Sequence, residues 1–313
     1  HVLASHAANH GKLLDAATYY EREAVAFGRR DDLELALELR TEAGDRDGVL
    51  ARLNDPLLGP LAPPSLQFHF AMERRDYPRA LRWLLPFAFP KPRFGPLALA
   101  FVAALGWGVF CMRFGQVRRD LKVRIPLYAA AFALGALSIA PTMFLIVWQE
   151  MVLHLTPNGT MVRDAVFYVL GVGFREELAK LLLFLPLLPI LLRRGQLIEV
   201  VACGALVGLG FAAVENLQYF SHDDLGSAIG RFLTANFLHM SMTAIISTAF
   251  FRMFKSPDGF HDFTVAFLTV VALHGNYDFF LASPAMGDMS FFAMTVFVFL
   301  ARDFVMAMHD ARL

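Results

Sequence analysis

Cysteine is scarce in this chain. Cys111 and Cys203 are the only two in 313 residues, and they fall in separate apolar runs. That excludes a disulfide framework and a Cys-x-x-Cys metal site, and each thiol reads as a small buried hydrophobe. Charge is also sparse. Asp, Glu, Lys and Arg make up 18% of the residues and cancel to a net charge of zero, against about a quarter in ordinary soluble domains. A balanced chain with no concentrated basic face has no footprint for nucleic acid. What the chain has in quantity is apolar side chain, 57% of its residues.

Charge is denser over residues 1–90, and the apolar residues there recur at helical spacing, as in Leu13–Ala24 and Leu33–Leu39. Gly44-Asp45, Asn54-Asp55-Pro56 and the prolines Pro60, Pro63 and Pro64 punctuate the pattern, and a helix pair is expected over Leu66–Met72 and Tyr77–Leu85. Short helices with small residues at packing positions resemble tetratricopeptide hairpins, although no clean period of about 34 residues emerges. The expectation is a soluble, repeat-like helical domain at 1–90, able to bind protein or peptide.

Seven apolar segments follow, at about 96–112, 126–149, 165–192, 198–220, 228–251, 263–282 and 290–308. Each approaches the roughly 20 residues that a helix needs to cross a bilayer. The fold class is therefore all-α: a polytopic transmembrane helical bundle over 91–313, its first segment short enough to be re-entrant, behind the soluble helical domain. Arg118, Arg119, Lys122 and Arg124, then Arg193 and Arg194, then Arg252 and Lys255, and finally Arg302 and Arg312 mark alternate connections, whereas Asp223 and Asp224 lie in a base-poor one. Positive-inside bias puts the basic connections and the C-terminus in the cytoplasm. Arg74, Arg75, Arg79, Arg82, Lys91 and Arg93 precede the first segment and favour a cytoplasmic N-terminal domain.

Four of the apolar segments carry groups that lipid does not tolerate without a reason. Glu176, Glu177 and Lys180 stand in the third, Glu215 and Asn216 in the fourth, His239 in the fifth, His274 and Asp278 in the sixth. Each charge near the bilayer centre costs at least about 2.5–3.5 kcal/mol on insertion scales, so such residues mark function. Glu176 and Lys180 share a helix face, as do His274 and Asp278, because each pair is four apart. With a rise of about 1.5 Å per residue, all of them fall in the half of the bundle away from the cytoplasm.

Glu-Glu-x-x-Lys (Glu176, Glu177, Lys180), Phe-x-x-x-Glu-Asn (Phe211, Glu215, Asn216), a lone His in the next span (His239) and His-x-x-x-Asp (His274, Asp278) resemble the PrsW family of intramembrane proteases. They are more distantly similar to the superfamily of CAAX- and bacteriocin-processing proteases. Those relatives carry Phe-x-x-x-His and His-x-x-x-Asn where this chain has Glu215 and Asp278. The resemblance covers about 125–285. It implies an endopeptidase of the bacterial cytoplasmic membrane that cuts membrane-anchored proteins such as anti-sigma factors.

Two mechanisms fit the residues. In one, Glu177, with Glu176 beside it, is the general base on a water and a histidine steadies the oxyanion. In the other, zinc is held by His239, His274 and one or both of Glu215 and Asp278, with a glutamate activating the bound water. A proton- or cation-coupled transporter and an inactive membrane scaffold are the alternative classes. No internal repeat of the transporter kind is visible.

Overall fold

The computed structural model describes residues 2–89, 94–114, 121–222, 230–283, 285–286 and 292–310. Lys91, Arg93, Arg118, Arg119, Asp223, Asp224 and Arg312 lie outside the described residues. No strand occurs among the described residues, which are helices and short connections. The chain divides into two units, His1–Pro90 and Lys91–Leu313.

The first unit contains α1 (Val2–Asn9), α2 (Leu13–Phe27), α3 (Arg30–Glu42), α4 (Arg46–Leu53), α5 (Pro64–Glu73) and α6 (Tyr77–Ala88). Chain neighbours pack on one another, α1 on α2, α2 on α3, and α5 on α6. Alanines at the contacts let the helices approach: Ala16, Ala17 and Ala36 are in one cluster, and Ala24 meets Leu33, Leu37, Val49 and Leu53 in another. The carboxylate of Glu21 is buried here, and it accepts from Arg40 at 2.5 Å and Arg52 at 3.0 Å. Paired in this way, it avoids the penalty of a lone buried charge. Helix starts are set by side-chain caps, with Asp45 accepting from the Gly48 N–H and Asp76 from the Arg79 N–H.

The second unit contains α7 (Phe94–Phe114), α8 (Leu121–Leu137), α9 (Ile139–Val152), α10 (Met161–Val166), a π-helical stretch at Phe167–Gly173, α11 (Phe174–Phe184), α12 (Leu188–Arg194), α13 (Leu197–His222), α14 (Ala235–Met253), α15 (Gly259–Ala282) and α16 (Phe292–Asp310). Among the described residues, four stretches are long and apolar enough to cross a membrane: Phe94–Met112, Arg124–Val152, Leu197–Leu217 and Gly259–Ala282. The segments at 165–192 and 228–251 fall outside that set for visible reasons, and the last one is described only in part. The segment at 165–192 carries Arg175, Glu176, Glu177 and Lys180 and is interrupted by the π-helical stretch and a 3₁₀ turn. Helix α14 carries Asn236, His239, Ser241 and Thr243.

Helix α13 is the hub of this unit. Buried residues make up 83% of its apolar stretch against 17% of that in α7, and it packs on α14, α8 and α7. Close approach at the α13–α14 crossing depends on Gly208. A Cβ there would stand 2.1 Å from the carbonyl oxygen of His239, so glycine brings the backbone of α14 against α13 at the level of that histidine. Gly275 does the same for α15, where a Cβ would stand 2.3 Å from the Cα of Val169 in the π-helical stretch.

Candidate active site

Ionisable side chains from α11, α13, α14 and α15 meet in the second unit. Glu177 and Lys180 form the fully buried floor. Lys180 Nζ donates to Glu177 Oε1 at 2.8 Å and to His239 Nδ1 at 2.8 Å, and it stands 3.7 Å from Glu176 Oε2. Its remaining side faces the Phe211 ring, 4.0 Å from the centroid, where the ring quadrupole attracts a cation. A lysine in apolar surroundings is retained only with such compensation.

The two histidines are oriented by different partners. An ammonium only donates, so His239 accepts on Nδ1 and presents its Nε2–H to Glu215 Oε2 at 3.0 Å. His274 uses Nδ1 to donate to Glu177 Oε1 at 2.8 Å. Its Nε2 then points to Glu176 Oε2 at 3.7 Å and Asp278 Oδ2 at 3.4 Å. The ring centroids are 5.2 Å apart.

Above this floor opens a cavity of about 810 Å³. Glu176, Glu215, His239, His274 and Asp278 all reach it, with apolar wall from Ile139, Met143 and Leu238 among others. Thus seven of the eight polar residues singled out in the apolar segments come together: Glu176, Glu177, Lys180, Glu215, His239, His274 and Asp278. Glu176 and Glu177 occupy different layers: Glu176 lines the cavity, while Glu177 lies behind it between Lys180 and His274. Asn216 faces Asn236 across the α13–α14 crossing at 3.2 Å, a helix–helix hydrogen bond.

Two cations of the cavity went unremarked in the sequence. Arg231, just before α14, donates to Glu215 Oε2 at 2.9 Å and to Asn216 Oδ1 at 3.2 Å, with its guanidinium 3.4 Å from the Tyr219 ring centroid. Arg175 donates to Gln149 Oε1 at 2.7 Å, and its buried Nε has no hydrogen-bond partner. The signal was present for both, a base inside or at the edge of an apolar run. It was masked in one case by the neighbouring glutamates and in the other by the loop boundary.

Near the cavity wall formed by the end of α15, Asp164 of α10 accepts from Ser283 Oγ at 2.6 Å and from the N–H groups of Asn158 and Gly159 at 2.8 and 3.1 Å. The Ser283 hydrogen bond, helped by the two backbone donors, holds the Asp164 carboxyl below the usual carboxylate range. Leu281 and Ala282, the residues just before Ser283, line the cavity, so this tie anchors that part of its wall.

The residues fit a metal ion. Glu176 Oε2 is buried without a hydrogen-bond partner, and one donor atom from each of Glu176, His239 and His274 lies within 4.8 Å of the others. Two imidazoles and a carboxylate are a common set for a catalytic divalent cation. The histidine–carboxylate contact behind His274 is the support that such ligands ordinarily receive. Relative to the set read from the sequence, His239 and His274 recur. Glu176 completes the group, and Glu215 and Asp278 each stand beside one histidine.

The sequence profile of the PrsW family intramembrane metalloproteases matches residues 124–302, more than half of the chain. No curated protein and no solved structure matches the chain.

Proposed function

This chain belongs to the PrsW family of intramembrane metalloproteases, and from that premise we propose that its cavity hydrolyses a peptide bond of a membrane-anchored protein with Glu176, His239 and His274 holding a zinc ion. The observation that carries this reading is the Glu176 carboxylate, buried, unsatisfied and turned to the cavity beside both histidines. When bound, such an ion polarises a carbonyl and lowers the pKa of a water at its open position.

The remaining residues divide the work. Glu177 fixes the His274 ring through Nδ1, and Lys180 balances the charge of the adjacent glutamates. Glu215, clamped by Arg231, steadies His239. For His239 to offer Nε2 to an ion, its ring proton would have to stand on Nδ1, with the Lys180 contact given up or reversed, and the ion would take the place of the Glu215 contact. Asp278 lines the cavity and is more exposed than the other acids of the cluster. It is the group placed to accept a proton from the attacking water and return it to the leaving amine. The apolar wall receives the substrate segment and keeps bulk water out. Anti-sigma-factor-like regulators, cut near their outer juxtamembrane region, are the substrate class that the family resemblance favours.

Elemental analysis of the purified protein, beside cleavage of a membrane-anchored test protein with and without chelator, tests this. Stoichiometric zinc is expected in the parent chain and not in the His239→Ala/His274→Ala variant, with cleavage lost on chelation and restored by zinc. Full cleavage by metal-free protein would overturn the metal assignment and leave Glu176 as the direct base. A well-folded Glu176→Gln protein that still cleaves would overturn the site itself.

A further inference from the structure

Helix α6 has an apolar stripe on the face that points away from its own unit. Tyr77, Leu81, Leu85 and Phe89 follow one another at four-residue intervals, and they are 41%, 59%, 56% and 36% exposed. The opposite face is packed: Ala80 and Ala88 are buried, and Arg79 bonds to Asn54, Gln67 and the Leu53 carbonyl. An exposed aliphatic and aromatic row of this length is not the scattered exposure normal for a surface. The 12 residues of α6, Tyr77–Ala88, span about 18 Å at a rise of about 1.5 Å per residue, and Phe89 caps the end.

Two observations say what covers it. The first is charge. Between Arg74 and Arg93 the sequence holds six basic residues, Arg74, Arg75, Arg79, Arg82, Lys91 and Arg93, against the single acid Asp76. Arg74, Arg75 and Arg82 are exposed, and Arg82 lies one position beyond Leu81 on the outward side of the helix. The second is chain length. Phe89 is five residues from Phe94, where the apolar helix α7 begins, and five residues reach at most about 18 Å. Chain length therefore keeps Phe89, the end of the stripe, within that distance of the first residue of α7.

We propose that α6 is an interfacial helix, lying in the headgroup layer of an acidic phospholipid membrane with Tyr77, Leu81, Leu85 and Phe89 towards the acyl chains. Its arginines reach the lipid phosphates by extending past the apolar row. This is a lipid-binding surface separate from the proteolytic cavity, and it does not depend on the reading of that cavity. Basic clusters beside a membrane helix gain about fivefold in occupancy per residue from an anionic leaflet, so the contact depends on lipid composition.

The test uses the full chain in vesicles of phosphatidylcholine with and without a quarter phosphatidylglycerol. Nitroxide labels are placed through Leu81→Cys or Leu85→Cys, with Glu38→Cys on the exposed side of α3 as the aqueous reference, all in a Cys111→Ala/Cys203→Ala background. In acidic vesicles, labels at 81 and 85 are expected to be accessible to oxygen and shielded from a water-soluble nickel complex, while the label at 38 stays nickel-accessible. The Arg74→Gln/Arg75→Gln/Arg82→Gln variant is expected to lose that shielding by at least tenfold. Labels at 81 and 85 as nickel-accessible as the reference would overturn the proposal. So would labels shielded from both reagents, which would mean that protein covers the stripe. If the cysteine-free background does not fold, photoreactive phosphatidylglycerol applied to the unaltered chain gives the same decision. Lipid adducts on the peptide 77–89 support the proposal, and adducts on α7 without any on 77–89 refute it.

Discussion

Glu176 and Glu177 are chain neighbours with opposite surroundings. One reaches a cavity with an unsatisfied oxygen, and the other is locked between Lys180 and His274. Their replacements should therefore fail differently. Glu177→Gln keeps the shape of the floor but weakens the hold on His274, and removal of such a supporting carboxylate typically lowers metal affinity about 10–100-fold. Competition with a graded chelator should show that loss, with cleavage recovering at saturating zinc. Glu176→Gln removes a direct donor, and added zinc should not restore cleavage. Equal recovery of both variants would refute the two-layer arrangement. The motif spacing made Glu176, Glu177 and Lys180 legible as a unit, because charged residues so close together in an apolar run admit few explanations. Which glutamate faces the cavity was not legible. The sequence reading favoured Glu177 as base, whereas the cavity-facing carboxylate is Glu176.

Local geometry explains that ambiguity. Phe167–Gly173 is π-helical and leads directly into α11. A π turn carries more residues than an α turn, so the rotational phase of everything after it departs from an α-helical projection. Glycine supplies the room: Gly173 and Gly275 bring the π-helical stretch and α15 to backbone contact. Apolar periodicity reports neither feature, and so the segment reads as one long span although it is built from α10, the π-helical stretch, α11, a 3₁₀ turn and α12. The tie through Asp164 has a pH signature. A carboxyl whose folded pKa is lowered contributes stability that is present above its unfolded value of about 3.9 and is lost as pH falls through the folded value. Asp164→Asn is expected to lower the melting temperature at pH 7. The gap to the parent should close as pH falls below about 4. Thermal melts of both proteins across that range decide it, and a gap that stays constant with pH would show that the carboxylate charge is not what holds the tie.

Two ties of the second unit stand far apart along the bundle, which bears on orientation. At one end Glu199 is buried between Arg124 at 2.8 Å and Arg194 at 2.6 Å, so the start of α8 and the α12–α13 connection lie together. At the other end Asp164 and Ser283 join the start of α10 to the end of α15. Glu215 is 16 residues along α13 from Glu199, a rise of about 24 Å, which puts the cavity far from the Arg124–Glu199 end. Arg124 and Arg194, which meet at Glu199, were both counted in the sequence as bases of connections, because loop bases are counted without any knowledge of packing. Arg231 was not, because a single base at the cavity end of α14 has no periodicity to announce it. If the basic connections face the cytoplasm, the cavity opens to the outer half of the membrane and draws on substrates presented there. A membrane-impermeant maleimide reads this directly, since Cys111 and Cys203 are both buried. Asn158→Cys, exposed beside Asp164, should label in intact cells, whereas Ser256→Cys, exposed after the Arg252–Lys255 turn, should label only after permeabilisation. The reverse pattern would place the cavity on the cytoplasmic side and exclude substrates cut at their outer boundary.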